Sequence, residues 1–436
     1  MKVLKFGGTS VGSAERFKNV AKIVIPAGKN IVVLSAMAGT TNSLLDITRC
    51  LREHDLSKAQ NSIDTLRSKY EAVVEQLYTK TAFKQRAADF IKRTFDYLSS
   101  FSQDNFSDKQ EKIIVAHGEL ISTYLFSTYL EEQGVRVCLI PALSFMYLDE
   151  QGEPDSDKIK ELLHKLLSEN ADADLYITQG FICMNAGGEI DNLKRGGSDY
   201  TASLIGAAIC ADEIQIWTDI DGLHNNDPRI VDGTTALRHL YFEEAAELAY
   251  FGAKILHPTC ILPAIKANVP VRLLNTMEPQ ALGTLIDNIF DPGTIKAVAA
   301  KDNIVAIQIK SSRMLLAYGF LRKVFEIFEN YHTSIDMICT SEVGVSLTID
   351  DTRHLDEIIS DLKQYGTVNV DTDMCIICVA GDMHWSNRGF ESRVMTALKD
   401  IPVRMVSYGG SNYNISILVR EEDKAQTLKS LSKNLF

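Results

Sequence analysis

Two stretches in the last third of the chain, "GFLRKVFEIF" from Gly319 and "GFESRVMTAL" from Gly389, repeat at a spacing of about 70 residues. Their apolar positions match: Phe320, Val324, Ile327 and Phe328 against Phe390, Val394, Ala397 and Leu398. Both sets fall at i, i+4, i+7 and i+8, one face of a helix. A strand pattern precedes each, "NIVAIQIK" (303–310) and "DMCIICVAG" (373–381). Two more strands follow each, "SIDMICTS" and "VGVSLTID", then "PVRMVSYG" and "YNISILVR". A further helix closes each unit, "RHLDEIISDLKQYG" and "EDKAQTLKSLSKNL". The expected unit is βαββα, present twice.

The first 290 or so residues alternate strand and helix instead. "KNIVVLSA" (29–36), "RVCLIPAL" (136–143), "ADLYITQGFI" (173–182) and "DEIQIWTDIDG" (212–222) read as strands, and "DKIKELLHKLLSEN" (157–170) and "SDYTASLIGAAICA" (198–211) as helices. That alternation predicts an α/β layer sandwich with a largely parallel sheet. Residues 44–112 break the rhythm, and their helical spacing of apolar residues predicts a helical excursion from the sheet. "NIFDPGTIKAV" (288–298) carries the Asp-Pro-Gly turn signal of a linker.

Composition narrows the function classes. With 45 basic and 57 acidic residues the formal charge is −12, which gives no overall basic footprint for nucleic acid. No run of about 18 apolar residues suggests a membrane span. The chain enters a strand pattern at once, so no signal peptide is expected, and eight scattered cysteines read as reduced thiols of a cytoplasmic protein. Cys375 and Cys378 stand three apart in a strand, so they are expected on opposite faces rather than as a redox or metal pair.

The opening run "VLKFGGTSVG" (3–12) places Lys5 before a glycine pair. The common nucleotide loop has its lysine after the glycines, so this is either a different phosphate cradle or an ordinary strand-turn-helix corner. Five other segments share its theme of small and polar residues at strand ends or helix starts. These are "SAMAGTTN" (35–42), "AHGELIST" (116–123), "LKRGGSDYTA" (193–202), "WTDIDGLHNNDPR" (217–229) and "FGAKILHPT" (251–259). Gly118-Glu119 is expected at a helix start and Ser198 as an N-cap. In an open α/β sheet, ligands bind beyond the carboxyl ends of the strands, and backbone amides there meet phosphate oxygens. Lys5, Lys194, Arg195, Arg229 and Lys254 could offset phosphate charge. Together the segments suggest a nucleotide site with an anionic second substrate.

"KFGGTSV", "RGGSDYTA", "WTDIDG…DPR", "FGAKILHP" and the C-terminal repeat stand in the order seen in aspartokinases, within the amino acid kinase superfamily. The chain resembles that family over essentially its whole length. The resemblance implies a three-layer α/β/α amino acid kinase sandwich with a mostly parallel sheet over residues 1–292. Two ferredoxin-like ACT α+β domains follow, over 299–371 and 372–436. "TSEVGVSLTID" and "LSKNLF" look closest to lysine-sensitive bacterial members, and no homoserine dehydrogenase is expected. The implied reaction is ATP plus L-aspartate giving ADP and 4-phospho-L-aspartate, with Mg²⁺ accompanying the nucleotide. A substrate carboxylate is already ionised at neutral pH, so no general base is needed. His117 and His257 are therefore expected in packing or helix-start roles. The rivals are another kinase of the superfamily and a non-catalytic amino acid sensor.

Carried over by motif, Lys5 resembles the lysine that reaches the transferring phosphoryl group, with Gly7 and Gly8 giving amides and room and Asp199 orienting. The resemblance implies Arg195 for the substrate α-carboxylate and Glu119 for its α-ammonium. Thr41 and Ser198 would serve the substrate carboxylates, and Phe181 backbone and shape. Thr218, Asp219, His224, Arg229 and Lys254 fall on the nucleotide side, with His224 where many members carry tyrosine. An amino acid effector is implied near Met314, Gly319, Leu321, Asp336, Ser341 and Glu342. The turn before the first ACT helix departs from the family's His-Ser-Arg-Gly, reading Leu316-Ala317-Tyr318-Gly319. A homodimer or dimer of dimers through residues 299–436 is expected.

Overall fold

A computed structural model describes residues 1–101, 106–193, 196–252, 258–311 and 318–436. The chain divides into two compact units, Met1–Leu223 with Leu256–Asn288, and His224–Ile255 with Ile289–Phe436.

In chain order the first unit's segments begin β1 (Val3–Phe6), α1 (Ala14–Val24), β2 (Ile31–Leu34), α2 (Thr40–Arg52), α3 (Leu56–Leu77), α4 (Thr81–Ser99) and α5 (Asp108–Glu132). They continue with β3 (Val137–Leu139), α6 (Ser156–Glu169), β4 (Leu175–Gln179), β5 (Ile182–Met184), β6 (Ile190–Asn192), α7 (Gly197–Ala208) and β7 (Ile214–Thr218). Next come β8 (His239–Tyr241) and α8 (Phe242–Tyr250) of the second unit, then α9 (Pro258–Ala267), β9 (Val271–Asn275) and β10 (Thr284–Asp287) back in the first.

Within the first unit the sheet runs β3-β4-β2-β1-β7-β9-β10. Every pairing is parallel except β9 with β10. Strands β1, β2 and β4 are buried along their whole length, as a sheet covered on both faces requires. The helical segment runs from α2 to α5, longer at both ends than the expected 44–112. Its Tyr70, Phe95 and Phe126 share one apolar core with Leu4, Phe6, Val32 and Leu34 of the sheet, so it is a packed layer. The expected α/β sandwich is met. Helix α5 corrects one expectation. It starts ten residues before Gly118, where Ser107 and Gln110 form a capping box, so Gly118 and Glu119 lie mid-helix. His117 sits there too, its Nδ1 2.8 Å from the Ile113 carbonyl, and burial holds its pKa down.

The second unit holds the repeat: β11 (Ile295–Lys310), α10 (Phe320–Asn330), β12 (Ile338–Thr340), β13 (Gly344–Ile349), α11 (Leu355–Leu362), then β14 (Thr367–Gly381), α12 (Phe390–Ala397), β15 (Met405–Tyr408), β16 (Asn414–Arg420) and α13 (Lys424–Leu435). All eight matched apolar residues are buried. Phe320, Val324, Ile327 and Phe328 enter one core, and Phe390, Val394, Ala397 and Leu398 another. The sheet order is β12-β13-β11-β14-β16-β15. The long strands β11 and β14 belong to both repeats. Residues 367–371 of β14 pair with 306–310 of β11, whereas 374–381 pair with 295–304 and with β16. At the changeover each strand carries a residue with positive φ, Asn303 (60°) and Asp373 (55°), residue types that tolerate the left-handed region. The edge strands also approach each other, Cys339 Sγ lying 3.1 Å from the Val406 carbonyl. Cys375 and Cys378 are buried thiols. Among the described residues no helix is long and apolar enough to cross a membrane.

Candidate active site

The loops after β1, β2 and β4 and the starts of α2 and α7 surround a cavity of about 450 Å³ at the carboxyl ends of the parallel strands. Lys5, Gly8, Thr41, Glu119, Phe181 and Ser198 line it together. Its walls come within backbone contact of one another, which is where the glycines matter. A Cβ on Gly8 would stand 2.8 Å from the Ala36 carbonyl oxygen, and one on Gly118 would stand 2.8 Å from Ala36 Cβ. A side chain on Gly180 would run into Ser198.

Lys5 stands third in a fully buried strand and is 9% exposed. Its Nζ is 2.6 Å from Asp199 Oδ1, in the first turn of α7, where the helix dipole favours a carboxylate. The contact is off the hydrogen-bond direction, an ion pair rather than a directed bond. Gly7 lies below the ammonium, and a Cβ there would be 3.5 Å from Lys5 Nζ. Glu119 is 3% exposed. Its Oε1 accepts from the Ala36 N–H at 3.1 Å, while Oε2 is buried with no hydrogen-bond partner. Burial raises this carboxyl to about 7.

Two helix N-termini border the same cavity. Helix α2 is capped by Gly39 (φ 80°) and α7 by Gly196 (φ 71°), and neither has a side-chain cap. The Thr40 N–H is spent on the Met37 carbonyl and the Asp199 N–H on the Gly196 carbonyl, each at 2.9 Å, and the other first-turn N–H groups offer anion-binding ends. Ser198 is not the N-cap it was expected to be. It lies inside α7, and its Oγ accepts from Ser35 Oγ at 2.9 Å. Phe181 adopts φ 68° after β4, with its N–H donated to Thr201 Oγ1 at 2.9 Å. Sequence reasoning passed over Ser35, Met37, Ala38, Asn42 and Gly197 as individual lining residues, although the segments holding them were singled out.

The nucleotide-side candidates are more scattered. Thr218 ends β7 beside β1, where the Gly7 N–H donates to the Trp217 carbonyl at 3.3 Å. Thr218 Oγ1 donates to Asp219 Oδ1 at 3.1 Å, and Asp219 is exposed. His224 and Arg229 belong to the second unit. His224 Nδ1 is 3.0 Å from Thr234 Oγ1, and Arg229 grips Asp227 through both Nε and Nη2 at 2.9 and 2.7 Å. Arg195, Lys254, His257 and Met314, with Lys194, Leu316 and Ala317, lie outside the described residues. Of the effector candidates, Gly319 caps α10 with φ 80°, Leu321 is exposed, and Ser341 closes a turn by donating its N–H to the Gly344 carbonyl at 2.8 Å. Glu342 is exposed. Asp336 Oδ1 accepts from Lys301 Nζ at 2.6 Å and from Tyr250 OH at 3.0 Å.

Residues 1–275 match the amino acid kinase family, and residues 377–435 match the ACT domain. The chain belongs to the amino acid kinase family. Its branch of that family is the aspartokinases. It is 34% identical to lysine-sensitive aspartokinase 3 of Escherichia coli strain K12, over 100% of this chain and 99% of that protein. The structure of E. coli aspartokinase III in complex with aspartate and ADP, an R-state, matches with a TM-score of 0.85 and 33% identity, covering 100% of both chains. The T-state structure of that protein with lysine and aspartate matches with a TM-score of 0.80 and 33% identity, covering 100% of this chain and 99% of that one.

Proposed function

We propose that this aspartate kinase transfers the γ-phosphoryl group of ATP to the β-carboxylate of L-aspartate inside the cavity that joins Lys5 to Glu119. The observation that carries the reading is the orphaned Glu119 Oε2, a buried acceptor in a cavity that also holds a buried lysine. The substrate ammonium would satisfy that oxygen. The substrate β-carboxylate attacks the γ-phosphorus, an O–P bond forms, and the bond to the ADP oxygen breaks. No proton moves, so the work is positioning and charge compensation. Lys5, steered by Asp199, meets the transferring group, Gly7 leaves room beside the ammonium, and the amides of Gly8 and of the two helix starts add partial positive charge. Thr41 and Ser198 hydrogen-bond the substrate carboxylates, Arg195 pairs with the α-carboxylate, and Phe181 shapes the wall. Thr218, Asp219, His224, Arg229 and Lys254 serve the nucleotide.

Among the described residues no three His, Cys, Asp or Glu side chains converge into a metal cage. Mg²⁺ brought with the nucleotide would be held largely by phosphate oxygens and water, neutralising the charge of the nucleotide. Coupled ADP release with a panel of amino acids tests the reading in a cytoplasm-like buffer. Aspartate should be the preferred acceptor, and succinate, which lacks the amine, a poor one. Equal turnover of succinate would remove the role of Glu119.

Regulation by an end-product amino acid is part of the same proposal, through the ACT repeat. Two features support weakened or redirected inhibition by lysine. The turn has lost a polar pair to Leu316-Ala317, side-chain hydrogen bonds worth roughly 0.5–1.5 kcal/mol each. Asp336, acidic enough to suit a cationic effector, already holds Lys301. Titration calorimetry with lysine, threonine and methionine, beside activity curves, should give weak or no lysine inhibition. Micromolar lysine inhibition would overturn this. Assembly through residues 299–436 is supported by Tyr318, Leu321, Phe325 and Val343, all exposed on the first repeat. Light scattering should show a dimer or tetramer, and a stable micromolar monomer would count against it.

A further inference from the structure

The 36–42 segment, a loop that runs into the first turn of α2, supplies Ala36, Met37, Ala38, Gly39, Thr41 and Asn42 to the cavity wall. It is short, glycine-containing and turns through a left-handed residue, Gly39, at φ 80°. Such a segment holds one shape only if its polar groups are tied down. Two ties come from the core of the unit: the Ala36 N–H on Glu119 Oε1, and the Ala38 N–H on the Gly8 carbonyl at 3.1 Å.

Two more come from helix α3, in the excursion. Lys69 Nζ donates to the Ala38 carbonyl at 2.8 Å. Tyr70 OH and Thr40 Oγ1 are 2.8 Å apart, both residues being fully buried. Ala38 is thus held from both sides, its N–H by the β1 loop and its carbonyl by α3. Lys69 Nζ would also lie 4.0 Å from a Cβ on Gly39. A buried tyrosine hydroxyl needs a partner, and Tyr70 finds one on the loop rather than within its own helix. Burial lowers the Lys69 pKa, so its ammonium is partly withdrawn from water.

We infer that Lys69 and Tyr70 are positioning residues for the aspartate side of the site, and that the helical excursion acts as a brace on the 36–42 loop. The inference rests on the proposed aspartate reading of the cavity. The brace touches Thr40, next to Thr41, and Ala38, and makes no direct hydrogen bond to Lys5 or Thr218. Its loss should therefore be read more in aspartate recognition than in nucleotide recognition.

The test uses the full chain with Tyr70→Phe, Lys69→Met and Lys69→Arg. Tyr70→Phe keeps the ring that packs against Phe95 at 6.0 Å between centroids, so the fold survives. The aspartate KM should rise roughly 3- to 10-fold in Tyr70→Phe and in Lys69→Met, the effect of losing one hydrogen bond. The ATP KM and kcat should stay within about two-fold of the parent. Lys69→Arg, which keeps a cationic donor, should restore the aspartate KM. Hydrogen exchange over residues 36–42 should quicken in the first two variants, with α3 as protected as in the parent.

Unchanged exchange over 36–42 would overturn the brace. Faster exchange with an unchanged aspartate KM would overturn its positioning role. So would aspartate and ATP KM values rising together with a falling melting temperature, the mark of a purely structural contact. Parent protein that fails to phosphorylate aspartate would instead sink the functional reading, and exchange alone would then decide the brace.

Discussion

Lys5–Asp199 in the first unit and Lys301–Asp336 in the second are the same chemical pair at the same 2.6 Å separation. Their surroundings differ. Lys301 has several partners: it also meets Asp350 at 2.9 Å and lies 4.6 Å above the Tyr250 ring, whose hydroxyl donates to the same Asp336 oxygen. Burial alone would lower the Lys301 pKa, but Asp336 and Asp350 outweigh it and raise it. Asp336 is raised by its own burial, against the pull of Lys301. Lys5 faces a cavity, and across that cavity stands a carboxylate oxygen with no partner. A saturated cation holds a fold together, while one with an open side can receive a ligand.

Substitution separates the two roles. Lys301→Met should be the most damaging to the fold, because it leaves Asp336 buried without its counter-charge. A loss of roughly 3–5 kcal/mol in urea unfolding is expected, with kcat of the folded fraction little changed. A loss below about 1 kcal/mol would make the two pairs alike after all. Lys5→Ala should do the reverse. Its kcat should fall on the order of 10²–10³-fold, as for loss of one transition-state donor, with aspartate KM and melting temperature close to the parent. Near-normal kcat would remove Lys5 from the chemistry.

Glu119→Gln sharpens the contrast further. A carboxyl raised to about 7 in the folded chain, against 4.5 for the ordinary group, favours folding through its protonated form. That contribution is complete below about 4.5 and is lost as pH rises through about 7. The variant should thus be more stable than the parent at pH 8, by an amount on the order of 2–3 kcal/mol, and equal to it near pH 4.5. Aspartate affinity should meanwhile drop by about 2–5 kcal/mol. In the parent, aspartate KM should climb as pH falls below about 7, and calorimetry in buffers of different ionisation enthalpy should show proton release on aspartate binding. A flat KM from pH 6 to 8 would argue that the ammonium does not meet this carboxylate.

Much of this was legible in the sequence, and the exceptions have physical causes. The repeat's eight apolar residues became core because a 3.6-residue stripe has one face to bury. Glu119 was found by motif but misplaced along its helix. Helix α5 is buried on nearly all sides over its second half, so apolar spacing marks no stripe there, and only the Ser107–Gln110 box marks its start. The cap of α7 was assigned to Ser198 on side-chain preference, yet backbone freedom decided it, with Gly196 in the left-handed region. The brace from Lys69 and Tyr70 left no local signal, since its partners are about 30 residues away along the chain. The strand segments 303–310 and 373–381 read as single-module strands. Their extension to Ile295 and Thr367 depends on β11 and β14 finding each other, a long-range pairing that no local pattern encodes.

That pairing has a mechanical result. Because β11 and β14 each lend one half to either repeat, the tandem is stitched through its own backbone, and severing it between the modules would strip an edge from both. The pair should melt as one cooperative block, with a single exchange-protection plateau across the two cores. Strain applied at one repeat reaches the other along a continuous peptide chain, through the bends at Asn303 and Asp373, rather than across a surface that could slip.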